Sequence, residues 1–406
     1  MENTQPPSSS GMPGGGRVWH QVELADDERR RLHGEGHCRM PERIEAGGAV
    51  DVEFTFKIGE TEMPKGGKLR VAWRWPFDWV APEKISVQSV GAELAAIFQL
   101  KGDLNPWHHH IEIEVLEGTL RTGDRVELSC NGWPVPTFAT QGAFFLMIIN
   151  PGGGNDWIRL LDPQRYEIAP VDPVRMVVIA EAEAGVGEMV HVRVRGEDRW
   201  GNPAPLMEVP VLEGGEVEAV ADDNDWYAYL FRVRWDTPGV HRLRATSGIL
   251  QTESNPVRIR AERPERRLFW GDLHAGQTEI GCGADSLERH FSYARHAAGL
   301  QFASQQANDH YVTREIWQLV REVSHACDAP GDFVCYLGCE WSPFTEDGGD
   351  RNVIYRDDEE RIRRSDRFFT EREPDPEPDL KRAPEFLAAM CDEEVLLNLH
   401  VGGRPT

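Results

Sequence analysis

The sequence lacks any apolar stretch approaching the ~20 residues that a membrane-spanning helix needs, and it begins without the charged-then-apolar plan of a signal peptide. Cysteine is scarce, and the seven cysteines are odd in number with no paired spacing, which favours reduced thiols over a disulfide framework. There is also no nucleophile elbow and no Gly-rich phosphate loop before a helix. These absences predict a cytoplasmic protein with no membrane partner.

Basic residues are few relative to acidic ones, with 44 lysines and arginines against 68 aspartates and glutamates, so the net charge is -24. A field of this sign repels polyanions, which argues against nucleic acid and anionic membranes as partners. A bound metal ion would dominate the local field whatever the global charge. The negative net charge therefore does not exclude a phosphorylated small molecule or a glycan as a ligand.

The 406 residues, 40% of them hydrophobic, suggest two to three domains with real cores. Residues 1–16 are rich in proline, serine and glycine and cannot bury enough apolar area to order themselves, so we expect a disordered tail. The folded part is then predicted to begin at residue 17.

Two β-rich modules are predicted next. In residues 17–173 the strand around Val52, Phe54 and Phe56 alternates strictly with polar residues, which indicates a half-buried antiparallel strand and favours a β-sandwich. Residues 174–262 alternate in the same way, and their number suits an immunoglobulin-like (Ig-like) β-sandwich.

The first module is rich in tryptophan, with Trp73, Trp75 and Trp79 close together and Trp107 further on. Aromatic faces of this kind could stack on sugars. Because large aromatic side chains dominate protein cores, we interpret most of these residues as core.

After residue 266 the pattern changes to short apolar runs alternating with helical periodicity, which predicts parallel strands joined by helices. The predicted strands are residues 269–274, ending in a histidine, then 302–307, 333–337 and 395–399, and the predicted helices are residues 286–299, 313–327 and 384–391. In α/β barrels the functional residues collect at the carboxyl ends of the strands. We therefore expect the residues just after these strands to converge.

Residue types that bind metals stand at each of these strand ends: His274, then Asp309 with His310, then Glu340, then His400. Each one alone could be an ordinary polar residue at a strand end. Together, imidazoles and carboxylates suit a borderline divalent metal such as zinc, manganese or iron, and a cluster of this size could hold more than one ion.

The motifs Gly271-Asp272-Leu273-His274, Asn308-Asp309-His310, Gly338-Cys339-Glu340-Trp341 and Leu399-His400-Val401 resemble those of the PHP (polymerase and histidinol phosphatase) metallohydrolases, over residues 266–406. Within that superfamily the chain looks most similar to a branch known as a domain of unknown function that follows N-terminal β modules. The resemblance implies a distorted α/β barrel, incomplete at its C-terminus. It also implies two or more divalent ions in the complete barrel, with His274, Asp309, His310, Glu340 and His400 as metal ligands.

The chain departs from the PHP pattern in three places. The opening motif lacks its second histidine, and Gln277 is the candidate for that place, while Arg351 stands near where other members carry a histidine. Gln277, Asn308, Arg351 and Asn352 are therefore candidate substrate contacts, since an arginine can grip an anionic group bidentately. The chain also stops at Thr406, with about half of such a barrel present, which suggests self-association or a complementary C-terminal fragment as a partner.

The resulting fold prediction is a multidomain β plus α/β protein, with two β-sandwich modules followed by a partial PHP-type barrel. The predicted function is a metal-dependent hydrolase, in which a metal-activated water attacks a phosphate ester or related bond and Glu340, Asp309 and Arg351 are catalytic. The alternative is a catalytically degenerate PHP-like scaffold whose β-sandwich modules bind a glycan or a protein.

Overall fold

The computed structural model describes residues 17–19 and 24–403, apart from positions 75, 101, 103, 105–106, 155, 162, 221–224, 275–277, 282, 313, 344–348, 358–360 and 366–378. The predicted tail, Trp75 and Gln277 lie outside the described residues. The chain divides into two compact units. The N-terminal unit comprises residues 8–169 with 282–284, and the C-terminal unit comprises residues 170–281 with 285–406.

The N-terminal unit is built from strands and one short surface helix, α1 (Asp26–His33). The strands are β1 (Arg17–Trp19), β2 (Gly34–Arg39), β3 (Arg43–Glu45), β4 (Ala49–Ile58), β5 (Met63–Pro64), β6 (Lys68–Trp73), β7 (Lys84–Ser89), β8 (Ala92–Gln99), β9 (His109–Leu120), β10 (Arg125–Pro134), β11 (Thr140–Ala143), β12 (Leu146–Asn150), β13 (Asp156–Arg159) and β14 (Tyr166–Ala169).

These strands form a seven-stranded, a four-stranded and a three-stranded sheet. The order of the largest is β1-β13-β12-β6-β9-β5, with β8 pairing on the other side of β9, and the second runs β2-β4-β10-β7. Strand β4 explains the packing, because Val52, Phe54 and Phe56 are fully buried while the residues between them face outward or are half-buried. The predicted alternation of this strand is confirmed, and it places one face of the four-stranded sheet on the core.

Aromatic side chains fill the interior of the N-terminal unit. Trp73, Trp79, Trp133 and Phe145 are all buried, and the rings of Trp133 and Phe145 stack with centroids 5.5 Å apart. The prediction that most tryptophans of this module serve the core is confirmed for Trp73 and Trp79. These two rings are therefore not available for stacking on a sugar.

The C-terminal unit begins with a second set of short strands. They are β15 (Arg175–Ala180), β16 (Glu183–Gly185), β17 (Val190–Glu197), β18 (Pro203–Ala204), β19 (Val211–Glu213), β20 (Glu216–Val220), β21 (Ala228–Arg234), β22 (Gly239–His241), β23 (Arg244–Ser247), β24 (Leu250–Glu253) and β25 (Val257–Arg260).

A five-stranded sheet, ordered β15-β17-β21-β20 with β18 beside β17, packs with two three-stranded sheets, β16-β25-β22 and β19-β23-β24. Inward-facing residues such as Val192, Val194 and Val233 are fully buried and share one core cluster with Leu243 and Val257. Stacked sheets with an apolar interior make this stretch an Ig-like β-sandwich.

The rest of the C-terminal unit mixes strands with short helices. The elements are β26 (Gly271–Asp272), α2 (Leu287–Ser292) with a π-helical continuation at Tyr293–Ala297, β27 (Phe302–Ser304), a 3-10 turn at Asp309–Tyr311, α3 (Arg314–Cys327), β28 (Val334–Tyr336), β29 (Gly338–Trp341), β30 (Gly349–Tyr355), α4 (Ala383–Met390) and β31 (Val395–Gly403). The helices lie where periodicity predicts them. Among the described residues, no helix combines the length and apolarity needed to cross a bilayer.

The predicted PHP-type α/β barrel is wrong. Strands β26, β27 and β28 are parallel, as expected, but β29, β30 and β31 form a separate antiparallel sheet. The difference comes from β30, which forms a strand where the sequence is typical of a polar loop. Strand β30 runs antiparallel to both β29 and β31, and such a strand cannot belong to an all-parallel barrel. Counting both modules before it, the chain is predominantly β.

Candidate metal-binding site

Three of the five predicted metal ligands meet at one place. One ligand atom from each of His274, Glu340 and His400 lies within 4.8 Å of the other two. His274 follows β26 by two residues, Glu340 is in β29, and His400 is in β31. The three side chains therefore come from the turn after one strand and from two further strands, and the tertiary fold brings them together over more than a hundred residues of sequence.

Strand register explains why two of these side chains share a face. Glu340 on β29 pairs with Asn352 on β30, and Asn352 pairs in turn with Asn398 on β31. Side chains directly opposite each other across strands lie on the same face of a sheet, and so do residues two apart along one strand. His400 is two residues beyond Asn398, so it joins the face that carries Glu340.

Hydrogen bonds hold the Glu340 carboxylate in place. Glu340 is only 2% exposed, and its Oε1 accepts hydrogen bonds from Asn308 Nδ2 at 3.0 Å and Ser342 Oγ at 3.0 Å. The same oxygen lies 3.5 Å from His400 Nδ1, while Oε2 lies 3.9 Å from His274 Nε2. A buried carboxylate is costly unless it is paired, so these partners stabilise a negative charge at this position.

The His274 ring is oriented by Asn352. His274 Nδ1 lies 2.8 Å from Asn352 Oδ1, and since an amide oxygen only accepts, the contact assigns the ring proton to Nδ1. The lone pair of Nε2 then faces Glu340. A metal-binding histidine commonly donates its other ring nitrogen to an oxygen in this way, which fixes both the tautomer and the ring orientation.

The two histidines lie against each other, with ring centroids 4.0 Å apart and planes 27° apart. Burial lowers the pKa of His274, and the neighbouring His400 lowers it further. The lowered pKa favours the neutral imidazole of His274, which is the form that binds a metal ion.

Asp309 and His310 are not part of this three-residue cluster. The Asp309 carboxylate is buried and accepts hydrogen bonds from the Ser342 backbone N–H at 3.0 Å, the Ser365 backbone N–H and the Ser365 hydroxyl at 3.1 Å. His310 is also buried, with Nδ1 3.7 Å from Asp309 Oδ1. In the described structure Asp309 anchors two chain segments.

The candidate substrate contacts fall in different places. Asn308 and Asn352 support Glu340 and His274, as described above. Arg351 pairs with Trp341 across the strands, so it lies on the face opposite Glu340, where its guanidinium sits 5.4 Å from the Trp341 ring and donates to Gly349 O at 2.5 Å. Gln277 lies outside the described residues.

Sequence reasoning missed Ser342 and Ser365, whose groups donate to Asp309 and Glu340. Ser342 stands two residues after Glu340 and thus on the same side of its strand, which is a usable signal. Ser365 is 56 residues from Asp309, and no local pattern announces that contact.

Comparison with known families gives a match over residues 273–400, to a family described as a protein of unknown function (DUF3604). The match spans less than half of the chain and includes all three residues of the cluster. No curated protein matches the chain.

Among solved structures, similarity is found to FdeC, an Escherichia coli adhesin, at 14% identity over 57% of this chain and 65% of that one, with a TM-score of 0.27. InvD of Yersinia pseudotuberculosis gives 12% identity over 58% and 61%, with a TM-score of 0.26. Invasin, a bacterial integrin-binding protein, gives 10% identity over 55% and 40%, with a TM-score of 0.24. The alignments span less than two thirds of each of these chains, and at such TM-scores the likeness carries no argument.

The prediction of a PHP metallohydrolase is wrong. The stretch expected to be the PHP barrel matches a family of unknown function instead, and its second sheet is antiparallel. The predicted hydrolase activity is wrong as well, and no catalytic role is assigned to Glu340, Asp309 or Arg351. The match supports only the description of residues 273–400 as a domain of unknown function.

Proposed function

We propose that this protein is a binding protein whose β-sandwich modules recognise a protein partner. The observation that carries the proposal is strand β8, which lies at the edge of the seven-stranded sheet and pairs with β9 alone among the described strands. An edge strand presents a row of backbone N–H and C=O groups on its free side. That row can receive an extended segment of another chain as an additional strand.

The side chains of β8 favour such pairing. Natural edge strands are usually protected by lysine, proline or inward-pointing charges. Strand β8 has eight residues, Ala-Glu-Leu-Ala-Ala-Ile-Phe-Gln, in which Glu93 is the single charged residue and proline is absent. Ile97 is 55% exposed, and Val90 and Leu100 at the two ends of the strand are exposed as well. An apolar side chain beside an open backbone edge supports binding of a partner strand.

A protein is a better fit than a glycan for this edge. Recognition of a sugar ring relies on exposed aromatic faces, and Trp73, Trp79 and Trp133 of this module are buried in the core. Backbone groups of an edge strand complement another backbone directly. Binding to glycans is therefore measured alongside binding to proteins, as the competing outcome.

The test compares Ile97→Lys with the wild-type chain and with Ile249→Lys as a matched control. Ile249 is fully exposed at a turn of the second module, between β23 and β24, so the control adds the same charge away from the edge. Immobilised protein is exposed to a cell extract and to a glycan array. We expect one protein to be retained by wild type and Ile249→Lys, and lost with Ile97→Lys. The recovered partner, purified and titrated, should bind Ile97→Lys at least about tenfold more weakly, which corresponds to ~1.4 kcal/mol.

Equal retention by Ile97→Lys would contradict a role for the β8 edge. Binding of a glycan that is indifferent to Ile97→Lys would move the function to another surface. Circular dichroism of each variant checks that the sandwich is intact, since a substitution at an exposed position changes stability by no more than about 0.5 kcal/mol.

We propose in addition that His274, Glu340 and His400 hold one divalent metal ion, of which zinc, manganese and iron suit the two imidazoles and one carboxylate. The donor set fits, because Asn352 orients His274 while Asn308 and Ser342 orient Glu340. Such an ion would tie the end of β26 to β29 and β31 and so stabilise this part of the chain.

Elemental mass spectrometry on protein purified without chelator tests the metal. We expect about one ion per chain in the wild type, and its loss in His274→Ala and in His400→Ala. His37→Ala, at an exposed position of β2, should retain the ion. Metal at wild-type stoichiometry in both site variants would rule the site out.

A further inference from the structure

The C-terminal unit contains a cavity of about 640 Å³ that neither the β8 edge nor the metal cluster lines. Its walls come from β15, β16 and β25 of the sandwich on one side, and from residues 268–270 and 298–301 on the other. A volume of several hundred cubic ångströms is typical of sites for small molecules. Both walls belong to the same compact unit.

The walls of the cavity are largely apolar. Ile179, Val240, Leu268, Trp270 and Leu300 contribute most of the large side chains. Trp270 is 58% exposed, and Leu268 and Val240 are also more than half exposed. Removing such surfaces from water is favourable by roughly 25 cal/mol for each Å² of apolar area, so an apolar ligand would gain binding energy here.

Most of the polar groups in the walls already have partners. Glu181 accepts hydrogen bonds from the backbone N–H of His191 and lies 3.3 Å from its Nδ1, and the Glu183 carboxylate pairs with Arg260. The side-chain amide of Asn255 bonds the backbone N–H and C=O of Ala180. These groups hold the walls together.

Arg258 differs from these residues. It is exposed, lines the cavity from β25, and its guanidinium makes no hydrogen bond or ion pair with any residue in the described ranges. A guanidinium is charged at all physiological pH values and matches the geometry of a carboxylate, to which it can donate two parallel hydrogen bonds. The cavity thus combines largely apolar walls with a cation, Arg258, that no residue of the described ranges neutralises.

We infer that this cavity binds an amphipathic carboxylate, with the apolar part of the ligand against Trp270 and Leu268 and the carboxylate on Arg258. The net charge of -24 does not preclude an anionic ligand, because exposed charges are screened beyond about 8 Å at physiological salt and Arg258 acts in direct contact. This inference is independent of the proposed partner of β8 and of the metal ion.

Decanoate is the probe, and calorimetric titration at pH 7.5 with the full chain is the measurement. We expect one saturable site per chain. Arg258→Gln should weaken decanoate binding by about tenfold or more, which is the effect of losing hydrogen bonds to a charged group. Arg244→Gln, on β23 outside the cavity, removes the same charge and should leave the affinity unchanged.

Two further titrations separate the apolar contribution from the ionic one. Trp270→Ala should weaken decanoate binding at least about tenfold through lost contact area. Decanol should bind the wild type more weakly than decanoate does, and should not distinguish Arg258→Gln from the wild type. Thermal unfolding of each variant checks its fold, since both side chains are largely exposed.

The inference is overturned if decanoate shows no saturable binding to the wild type. It is also overturned if Arg258→Gln binds decanoate as tightly as the wild type, or if Trp270→Ala does. None of these results bears on the β8 edge or on the metal cluster, so failure here is distinguishable from failure of the proposed function.

Discussion

The interiors of two regions of this chain are filled in opposite ways. The N-terminal unit buries tryptophan, phenylalanine and β-branched residues in a large apolar core and a second, smaller apolar cluster. The region between β26 and β31 buries a set of polar side chains beside its apolar cluster: Ser304, Gln305, Gln306, Asn308, Asp309, His310, Glu340, Ser342, Asp350, Asn352, Arg364 and Ser365. Stability alone explains the first interior and does not explain the second.

Buried polar groups are costly unless each finds a partner, so a protein that serves only as a scaffold gains little from them. In the second region the carboxylates of Glu340 and Asp309 have such partners: Asn308 and Ser342 donate to Glu340, and Ser342 and Ser365 donate to Asp309. A network of this kind positions its members within narrow limits. The concentration of buried, hydrogen-bonded polar side chains therefore locates the candidate site independently of any motif.

The largest expected loss of stability comes from a substitution in the apolar interior of the N-terminal unit. Trp133→Ala should destabilise the N-terminal unit by about 3–5 kcal/mol, because it removes a fully buried ring that stacks on Phe145 and whose Nε1 donates to Val80 O at 2.6 Å. Urea unfolding measures the loss. Trp200→Ala, at a more exposed position of the second module, should change the free energy of unfolding by less than about 1 kcal/mol.

We expect the region between β26 and β31 to lose stability at acidic pH. Burial lowers the pKa of His290 from 6.5 to about 4, and its Nε2 has no hydrogen-bond partner among the described residues. The unfolded chain therefore binds the proton first, so the stability present above pH 6.5 falls as the pH is lowered towards 4, by up to about 3 kcal/mol. His290→Leu should remove this part of the pH dependence, measured by unfolding at pH 7 and pH 4.5. An identical slope in variant and wild type would contradict it.

Asn352→Ala should weaken the affinity of the candidate site for metal without unfolding the protein. Loss of the group that orients a metal-binding histidine typically costs 10- to 100-fold in affinity. Asn352 holds His274 Nδ1 at 2.8 Å. Competition with a chelator measures the change, and Asn398→Ala, the cross-strand neighbour of Asn352, should bind metal as the wild type does.

The smallest effect concerns His191 on β17. Its hydrogen bond with Glu181 raises the pKa, and the nearby Asp332 carboxylate adds to this against the opposing effect of burial. The stabilisation is fully present below about pH 6.5, the ordinary pKa of histidine, and is lost as the pH rises through the raised pKa. His191→Gln should therefore lower the melting temperature at pH 6 more than at pH 8.5. Equal differences at the two pH values would contradict this linkage.

Much of the local structure was predictable. The alternation around Phe54 indicates a strand because side chains on a strand point to opposite faces, and the periodicity of residues 313–327 indicates the helix observed at Arg314–Cys327. Strand β30 was not predictable in this way. Its sequence, Gly-Asp-Arg-Asn-Val-Ile-Tyr, opens with residues typical of turns, and it buries two polar residues, Asp350 and Asn352, of which Asn352 orients His274.

The residue types of the candidate site were predictable from the sequence, but which of the predicted residues meet in the cluster was not. His274, Glu340 and His400 were found because residues that bind metals follow apolar strands. Asp309 has the same local signal, yet its carboxylate is taken by Ser342 and Ser365. Which carboxylate faces the histidines depends on contacts between segments far apart in the sequence.

Local side-chain patterns are sufficient to predict the strands and helices with clear periodicity, the tryptophan-rich core and the residue types of the site. Contacts between distant segments set three further features: β29, β30 and β31 run antiparallel, Arg351 faces away from Glu340, and Arg258 lies beside an apolar cavity with no partner among the described residues. The physical reason is that strand direction and side-chain pairing follow from long-range packing, which periodicity along one segment does not encode.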